Sequence, residues 1–257
     1  MEILPEQLID NWIGYLGPRR KELFAPLRPS LIARPPLPDR FEASVAPALR
    51  LLEAVGVGAV PLNKRKEIKR AAANRLNYDA RFDDPSPFAK GDSVLEVDVL
   101  LTLLRVCEAT DPLGWKESLT HLGHAFMHDP AALWYGLAGA IGLARPGDLA
   151  GDIVEVTLAW LLRDELGSDE LCPPVNEAAA VRQPKMSQAR FEEVLQFAIY
   201  WTYTNLRALN LFIAKDPSDP SKPRLTEVGR AAAREALRAA AATAFCHEHA
   251  TSKLQAE

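Results

Sequence analysis

Apolar residues recur at helical spacing along most of this chain. Leu8, Ile9, Trp12, Ile13 and Leu16 mark one face of a helix over 5–25, which Pro18 ends or restarts. Pro26, Pro29, Pro35, Pro36 and Pro38 are too dense for a regular helix, so 26–40 is expected to run irregularly along the surface. Val45, Leu49, Leu52 and Val55 predict a second helix over 40–55. Residues 57–62 fit a short strand, and 63–76 a helix with Asn63 as its N-cap. Asp83-Asp84-Pro85-Ser86-Pro87 marks a loop. The apolar stretch 94–109 predicts a helix closed by Thr110-Asp111-Pro112. Residues 115–119 suit a strand, Thr120 caps the next helix, and Asp129-Pro130 starts another. Pro146-Gly147-Asp148 interrupts, after which 153–166, 189–214 and the alanine-rich 227–245 are all helical, and the residues beyond are frayed. The polar stretch 215–222 suits the tip of a β-hairpin. The fold class predicted is mainly α, with a few short β-hairpins.

One phrase recurs within this pattern. Leu119-Thr120-His121-Leu122-Gly123 and Leu225-Thr226-Glu227-Val228-Gly229 share Leu-Thr-x-x-Gly, each after a long apolar helix and each opening a new one. Leu anchors the end of a strand, and Thr accepts a hydrogen bond from an orphan helix N–H. Gly lets the new helix approach an earlier one closely. A weaker echo, Pro61-Leu62-Asn63, puts Asn where Thr stands. The interval from Asn63 to Thr120 is close to half that from Thr120 to Thr226, as duplicated modules would give. Helix, hairpin and capped helix in that order predict tandem winged-helix-like modules. The organisation expected is an N-terminal helical segment with a proline-rich connector over 1–55, a winged-helix-like region over 56–166, a linker over 167–187 and a C-terminal winged-helix-like module over 188–257.

Composition narrows the partners. With 48% hydrophobic residues in 257 there is material for a substantial core, and no apolar run is long enough to span a bilayer. Net charge is −4, so no global field draws nucleic acid, although a local basic face can still do so. Three scattered cysteines, Cys107, Cys172 and Cys246, make no CxxC pair or disulfide framework, and the first residues lack the basic start and apolar core of a signal peptide. A cytoplasmic setting is expected.

The stretch from Glu96-Val97-Asp98-Val99-Leu100 through Leu119-Thr120-x-x-Gly123 to Asp129-Pro130-Ala131-Ala132-Leu133-Trp134 resembles the helical region of plasmid-encoded ORF-3-like proteins. Val60-Pro61-Leu62-Asn63 is similar to the turn that precedes that region, and 191–237 to its winged-helix-like end. The resemblance covers about 55–245. It implies a fold, and an association with mobile elements, more than an activity.

Lys64, Arg65, Lys66, Lys69 and Arg70, extended by Arg75, form the densest positive run, and on a helix 65/69 and 66/70 would share one cationic face. Such a face suits phosphate contacts, which supply affinity without sequence choice. Lys222 and Arg224 place further cations beside the 215–222 hairpin, and Arg230, Arg234 and Arg238 form a basic ladder. His121, His124 and His128 have a spacing that zinc ligands can use, with His247 and His249 as a second cluster. No nucleophile elbow, phosphate loop or dinucleotide fingerprint is present. Trp134, Tyr135, Tyr200, Trp201 and Tyr203 suit a core or an interface better than a ligand cage. The reading is a non-enzymatic protein with no cofactor that binds duplex DNA, as a regulator or mobile-element accessory. The runner-up is a protein–protein adaptor or homodimer on the same modules, without nucleic-acid binding. The outsider is a metal-dependent enzyme using the histidines.

Overall fold

The structure, a computed structural model, describes residues 4–15, 18–80, 92–143, 149–163, 175–179, 186–213 and 224–254. Among them the chain is mainly helical, with two short antiparallel hairpins.

The N-terminal segment is helical as far as its prolines allow. Helix α1 (Glu6–Tyr15) buries Leu8, Ile9 and Trp12, and α2 (Pro18–Phe24) begins on Pro18, where a missing N–H costs nothing. Trp12 meets Phe24 edge to face at 5.0 Å. The proline-dense stretch is more ordered than its composition predicts. A 3₁₀ turn (Ala25–Leu27) and the short α3 (Arg28–Ile32) each carry a proline at the first or second helical position, so Pro26 and Pro29 start turns of helix rather than prevent them.

Helix α4 (Glu42–Gly56) buries Val45, Ala48, Leu51, Leu52 and Val55. The chain then turns on Gly58, at φ +71°, into an extended segment at 60–62. Here the structure departs from the expected helix over 63–76. Asn63 does not cap a helix: its Oδ1 accepts from the backbone N–H of Arg65 (2.8 Å) and Glu67 (3.1 Å), which closes a turn. Leu62 and Ile68 pair across that turn, and α5 starts only at Arg70 (Arg70–Ala80). Helix α6 (Asp92–Val106) follows. The expected stop at 110–112 is instead strand β1 (Thr110–Leu113), paired with β2 (Lys116–Leu119).

The extended segment 60–62 adds to the free side of β2. Leu62 N–H donates to Trp115 O (2.7 Å), and Glu117 N–H donates to Val60 O (3.0 Å). The order across the ribbon is therefore β1, β2, 60–62, and β1 carries Pro112 at an edge, where no ladder donor is missing.

Helices α7 (His121–His128) and α8 (Pro130–Leu143) are separated by Asp129, whose carboxylate accepts from Ala132 N–H at 2.9 Å. Apolar all round, α8 is central and packs against α4, α6, α7, α9 (Leu149–Arg163) and, most extensively, the last helix. Of the stretch 167–187, expected as a linker, 175–179 is helical and buries Val175, Ala178 and Ala179. Helix α10 (Gln188–Ala208) ends before the predicted 214 and gives way to β3 (Phe212–Ile213), which pairs with β4 (Arg224–Leu225). Helix α11 (Glu227–Leu254) closes the fold and stays helical beyond 245. The loop expected at 83–87, the hairpin tip at 215–222 and the break at 146–148 lie outside the described residues. One continuous apolar core runs from Leu8 to Ala241.

The two copies of Leu-Thr-x-x-Gly make the same contacts. Glu108 (φ +59°) and Asn210 (φ +52°) turn the chain out of α6 and α10. The next N–H groups, of Ala109 and Leu211, bond back to Leu104 O and Leu206 O, both at 2.8 Å. After each hairpin, Thr120 N–H donates to Ala109 O (3.1 Å) and Thr226 N–H to Leu211 O (3.0 Å). Each threonine Oγ1 accepts from the glycine N–H three residues on, at 3.0 and 2.9 Å, as an N-cap does. A Cβ on Gly123 would overlap the Ala109 carbonyl, and one on Gly229 the Leu211 carbonyl. What the glycines approach so closely is thus the exit of the preceding helix. The echo expected at Asn63 does not form as a third copy: the cap position of α5 is taken by Lys69, with Ala73 N–H on its carbonyl at 3.0 Å, and Ala72 follows three residues on.

Buried charges fasten the N-terminal segment to this frame. Arg20, 1% exposed, bridges Asp152 (3.3 Å) and Glu155 (2.8 Å) of α9. Arg238 of α11 donates to Leu31 O (2.6 Å) and Ile32 O (2.7 Å), capping α3, and pairs with Glu235 (3.2 Å). Glu235 also receives Arg34, whose guanidinium lies 4.5 Å from the Tyr135 ring centroid.

Replacing Gly123 or Gly229 with Ala should cost about 1–3 kcal/mol of stability through overlap with those carbonyls. Thr120→Ala should cost about 0.5–2 kcal/mol. Gly139→Ala in α8 is the control, because its Cβ would meet Ala239 Cβ at an ordinary 3.5 Å. There the higher helix propensity should raise stability by about 0.5–1 kcal/mol. Urea unfolding of the four variants measures all of these, and equal effects at 123 and 139 would contradict the latch.

Candidate functional site

The basic run ends up at the apex of two hairpins rather than on one helix face. Lys64, Arg65 and Lys66 lie in the 63–69 turn, while Lys69 and Arg70 open α5, with Arg75 further along that helix. All are exposed. The i, i+4 ladder expected of 65/69 and 66/70 does not form, because the Asn63 turn claims these residues before the helix can start.

The second tip is Gly114-Trp115, the two-residue turn between Leu113 and Lys116. Gly114 holds φ +63°, as the first position of such a turn requires. The tips are bolted together. Lys66 Nζ donates to Gly114 O (2.6 Å) and lies 5.8 Å from the Trp115 ring centroid. Arg105, at the end of α6, grips Glu117 of β2 with two bonds (2.9 and 2.5 Å) and donates to Lys66 O (2.9 Å). Glu117 is 1% exposed, so this bidentate pair is shielded and firm.

The arrangement leaves Leu113 67% and Trp115 62% exposed, on two hairpins and a helix start that also carry the exposed Lys64, Arg65, Lys66, Lys69, Arg70 and Lys116. Large apolar side chains held open at a rigid turn carry no folding benefit. Cations at the start of α5 also oppose the helix dipole, which favours acids there. The apex thus concentrates positive charge against two local preferences. Beneath it Asp98 accepts from the backbone of Ile68, and burial, reinforced by Glu67, holds its carboxyl above the ordinary range despite Arg105.

The other sequence candidates separate. The backbone of Arg224 lies in β4, and Lys222 falls outside the described residues. In the Arg230, Arg234, Arg238 ladder, Arg238 is buried and structural. His121, His124 and His128 are exposed on α7, and among the described residues no group of three His, Cys, Asp or Glu side chains is placed to hold a metal ion. Burial pushes the Cys107 thiol up to about 11, so it stays protonated and unreactive at neutral pH. Trp134 is core, while Tyr200 is 54% exposed. An apolar cleft of about 140 Å³ opens between α6, α8, α9 and α10, lined by Thr102, Ile141, Val154, Phe197 and Trp201. No described helix is long and apolar enough to cross a membrane.

Sequence reasoning missed Leu113, Trp115, Lys116 and the Arg105–Glu117 clamp. The signal that could have found the turn is Gly114-Trp115 between two short runs, since Gly-x is a two-residue hairpin turn. Comparison of the chain with protein-family models, curated proteins and solved structures finds no match.

Because the folded state holds the Asp98 proton to higher pH than the unfolded chain does, stability should fall as pH rises from the ordinary 3.8 through the raised value, and the penalty should persist above it. Asp98→Asn keeps an acceptor for Ile68 and never ionises. Its melting temperature relative to wild type should climb between pH 3 and pH 7; a constant difference across that range would contradict the assignment.

Proposed function

We propose that the protein binds DNA non-enzymatically, anchoring phosphates at the two-hairpin apex with Lys64, Arg65, Lys66, Lys69, Arg70 and Lys116. The observation that carries this reading is the clamped pair of tips, which hold Lys66 at an exposed indole with the other exposed cations on the same two hairpins and the start of α5.

The fold reading that accompanies it is of winged-helix-like modules. Its support is the element order α4, 60–62, α5, α6, β1, β2, with 60–62 and β1 on opposite sides of β2. The order α10, β3, β4, α11 is a partial second instance. In this reading the β1–β2 turn is the wing. Helix α6 is poorly suited to phosphates, since Asp92, Glu96 and Asp98 lie along it and its one cation, Arg105, is spent on Glu117. The wing side therefore carries the contact. A role as a regulator or mobile-element accessory is compatible with binding that is mostly electrostatic and sequence-tolerant.

A specific observation favours the adaptor reading as the alternative. Phe197 and Tyr200 are exposed on α10, and Phe197 stacks with Trp201 at 6.3 Å, an aromatic face suited to a protein partner or a second copy.

The test is binding of labelled DNA at low salt. Wild type should bind, and the Lys64→Glu, Arg65→Glu, Lys69→Glu triple variant should bind at least tenfold more weakly. Its slope of log affinity against log salt should be shallower by up to about 3, near 0.9 for each duplex phosphate that the variant no longer neutralises. No binding by wild type to duplex or single strand would exclude the reading. A stable dimer disrupted by Phe197→Ser and Tyr200→Ser would favour the alternative.

A further inference from the structure

We infer that the apex selects unpaired nucleic acid, with Trp115 as a stacking platform for a base and the cations around it as the track for the backbone. This rests on the nucleic-acid reading above and specifies its ligand.

Trp115 sits at the outermost point of a two-residue turn and leaves 62% of its surface open. Its backbone has almost no freedom. Its carbonyl accepts from Leu62 N–H, Lys66 binds Gly114 O beside it, and the Glu117–Arg105 pair locks β2 two residues on. An indole presented this rigidly gives up little entropy on binding.

A duplex cannot use such a group fully, because its bases are already stacked and its exterior offers sugar and phosphate. An unpaired base offers a π-face of the right size. Stacking of that kind tolerates any sequence and works together with a basic groove. The cations lie on both hairpins: Lys64, Arg65 and Lys66 on the facing tip, Lys116 next to Trp115 in the chain, and Lys69, whose N–H is tied to Pro61 opposite Lys116. Lys66, whose ammonium lies over one face of the ring at 5.8 Å from its centroid and is hydrogen-bonded to Gly114 O, adds positive charge at the platform itself.

A lipid surface would also meet cations and an aromatic ring. The apolar content of the apex, however, is limited to Leu113 and Trp115 at one turn, too little for stable insertion compared with an amphipathic face. The observations favour stacking.

The experiment compares the full chain with a labelled oligothymidine, a mixed-sequence single strand and the duplex of that sequence, at one salt concentration. Anionic phosphatidylserine vesicles form a further arm. Wild type should bind the single strands more tightly than the duplex. Trp115→Ala should weaken single-strand binding about tenfold or more and duplex binding less than twofold, while Trp115→Phe retains most of the single-strand affinity. Melting temperatures should change little in both, because the side chain is mostly exposed and the Lys66 bond to Gly114 O does not depend on it.

Equal losses on single strand and duplex, or no loss on either, would overturn the inference while leaving the nucleic-acid reading in place. Absence of binding to every nucleic acid would overturn both. Trp115-dependent binding to vesicles alone would assign the apex to a lipid surface instead.

Discussion

The carbonyl groups of Ala109 and Leu211 each accept a hydrogen bond from the threonine N–H that closes a hairpin, and each lies against the glycine three residues later. This contact decides where the chain goes. It fixes the exit of α6 relative to the start of α7, and the exit of α10 relative to α11, so that whatever lies between must be a hairpin. A side chain at Gly123 or Gly229 would push the two helices apart. The buried α8 benefits directly: α7 delivers it to the centre, and α11 crosses it so closely that Gly142 lies on the Ala236 backbone. Alanines along α11, including Ala232, Ala233 and Ala236, make that crossing possible by leaving no side chain to hold the helices apart.

Charge in this protein divides by burial into two kinds with different purposes. Arg20 with Asp152 and Glu155, and Arg238 with Glu235 and Arg34, are spread over distant parts of the chain. They fasten the N-terminal helices to α9 and α11, and removing one member weakens a shielded group rather than a solvated pair. Arg105 with Glu117 belongs to the same class but positions the apex. The cations at the two tips are exposed and lie outside these shielded groups, although Lys66 also ties the tips together through Gly114 O. Net charge of −4 sums over every charged side chain of the protein and says little about either of these two sets.

Most helices were legible because helical periodicity is a local property that burial amplifies: the apolar faces of α1, α4 and α6 fall where their leucines, isoleucines and valines put them. The threonine caps were legible for the same reason, since the cap bond spans three residues. Misreadings arose where a side chain offered the backbone two local solutions. Asn63 can cap a helix or close a turn, and only the pairing of Leu62 with Ile68 and with the Trp115 carbonyl decides for the turn. Pro26 and Pro29 were legible as helix breakers but not as helix starters, because that depends on where the preceding turn ends. At the apex the basic run was visible, but its geometry was not. Arg105 and Lys66 are 39 residues apart, and no local pattern announces that they meet.

The cap of α5 differs from the two threonine caps, and the difference bears on the apex. At Thr120 and Thr226 the hydroxyl satisfies the first turn of the next helix and returns a hydrogen bond to the helix before, so those hairpins are closed by their own stems. Lys69 has no hydroxyl to do either. The 60–69 hairpin is closed instead by the Asn63 turn and by Lys69 N–H on Pro61 O, and is held from outside as well, by β2 along its first strand and by Arg105 and the Gly114 carbonyl at its tip. Lysine at that cap forgoes the hydroxyl bonds and puts a cation on the hairpin that also carries Lys64, Arg65 and Lys66. The neighbouring hairpin adds restraint at the tip, and in doing so brings Trp115 to the same edge. The contacts that steady the 63–69 turn are thus the ones that bring its cations to the edge where the ring stands open.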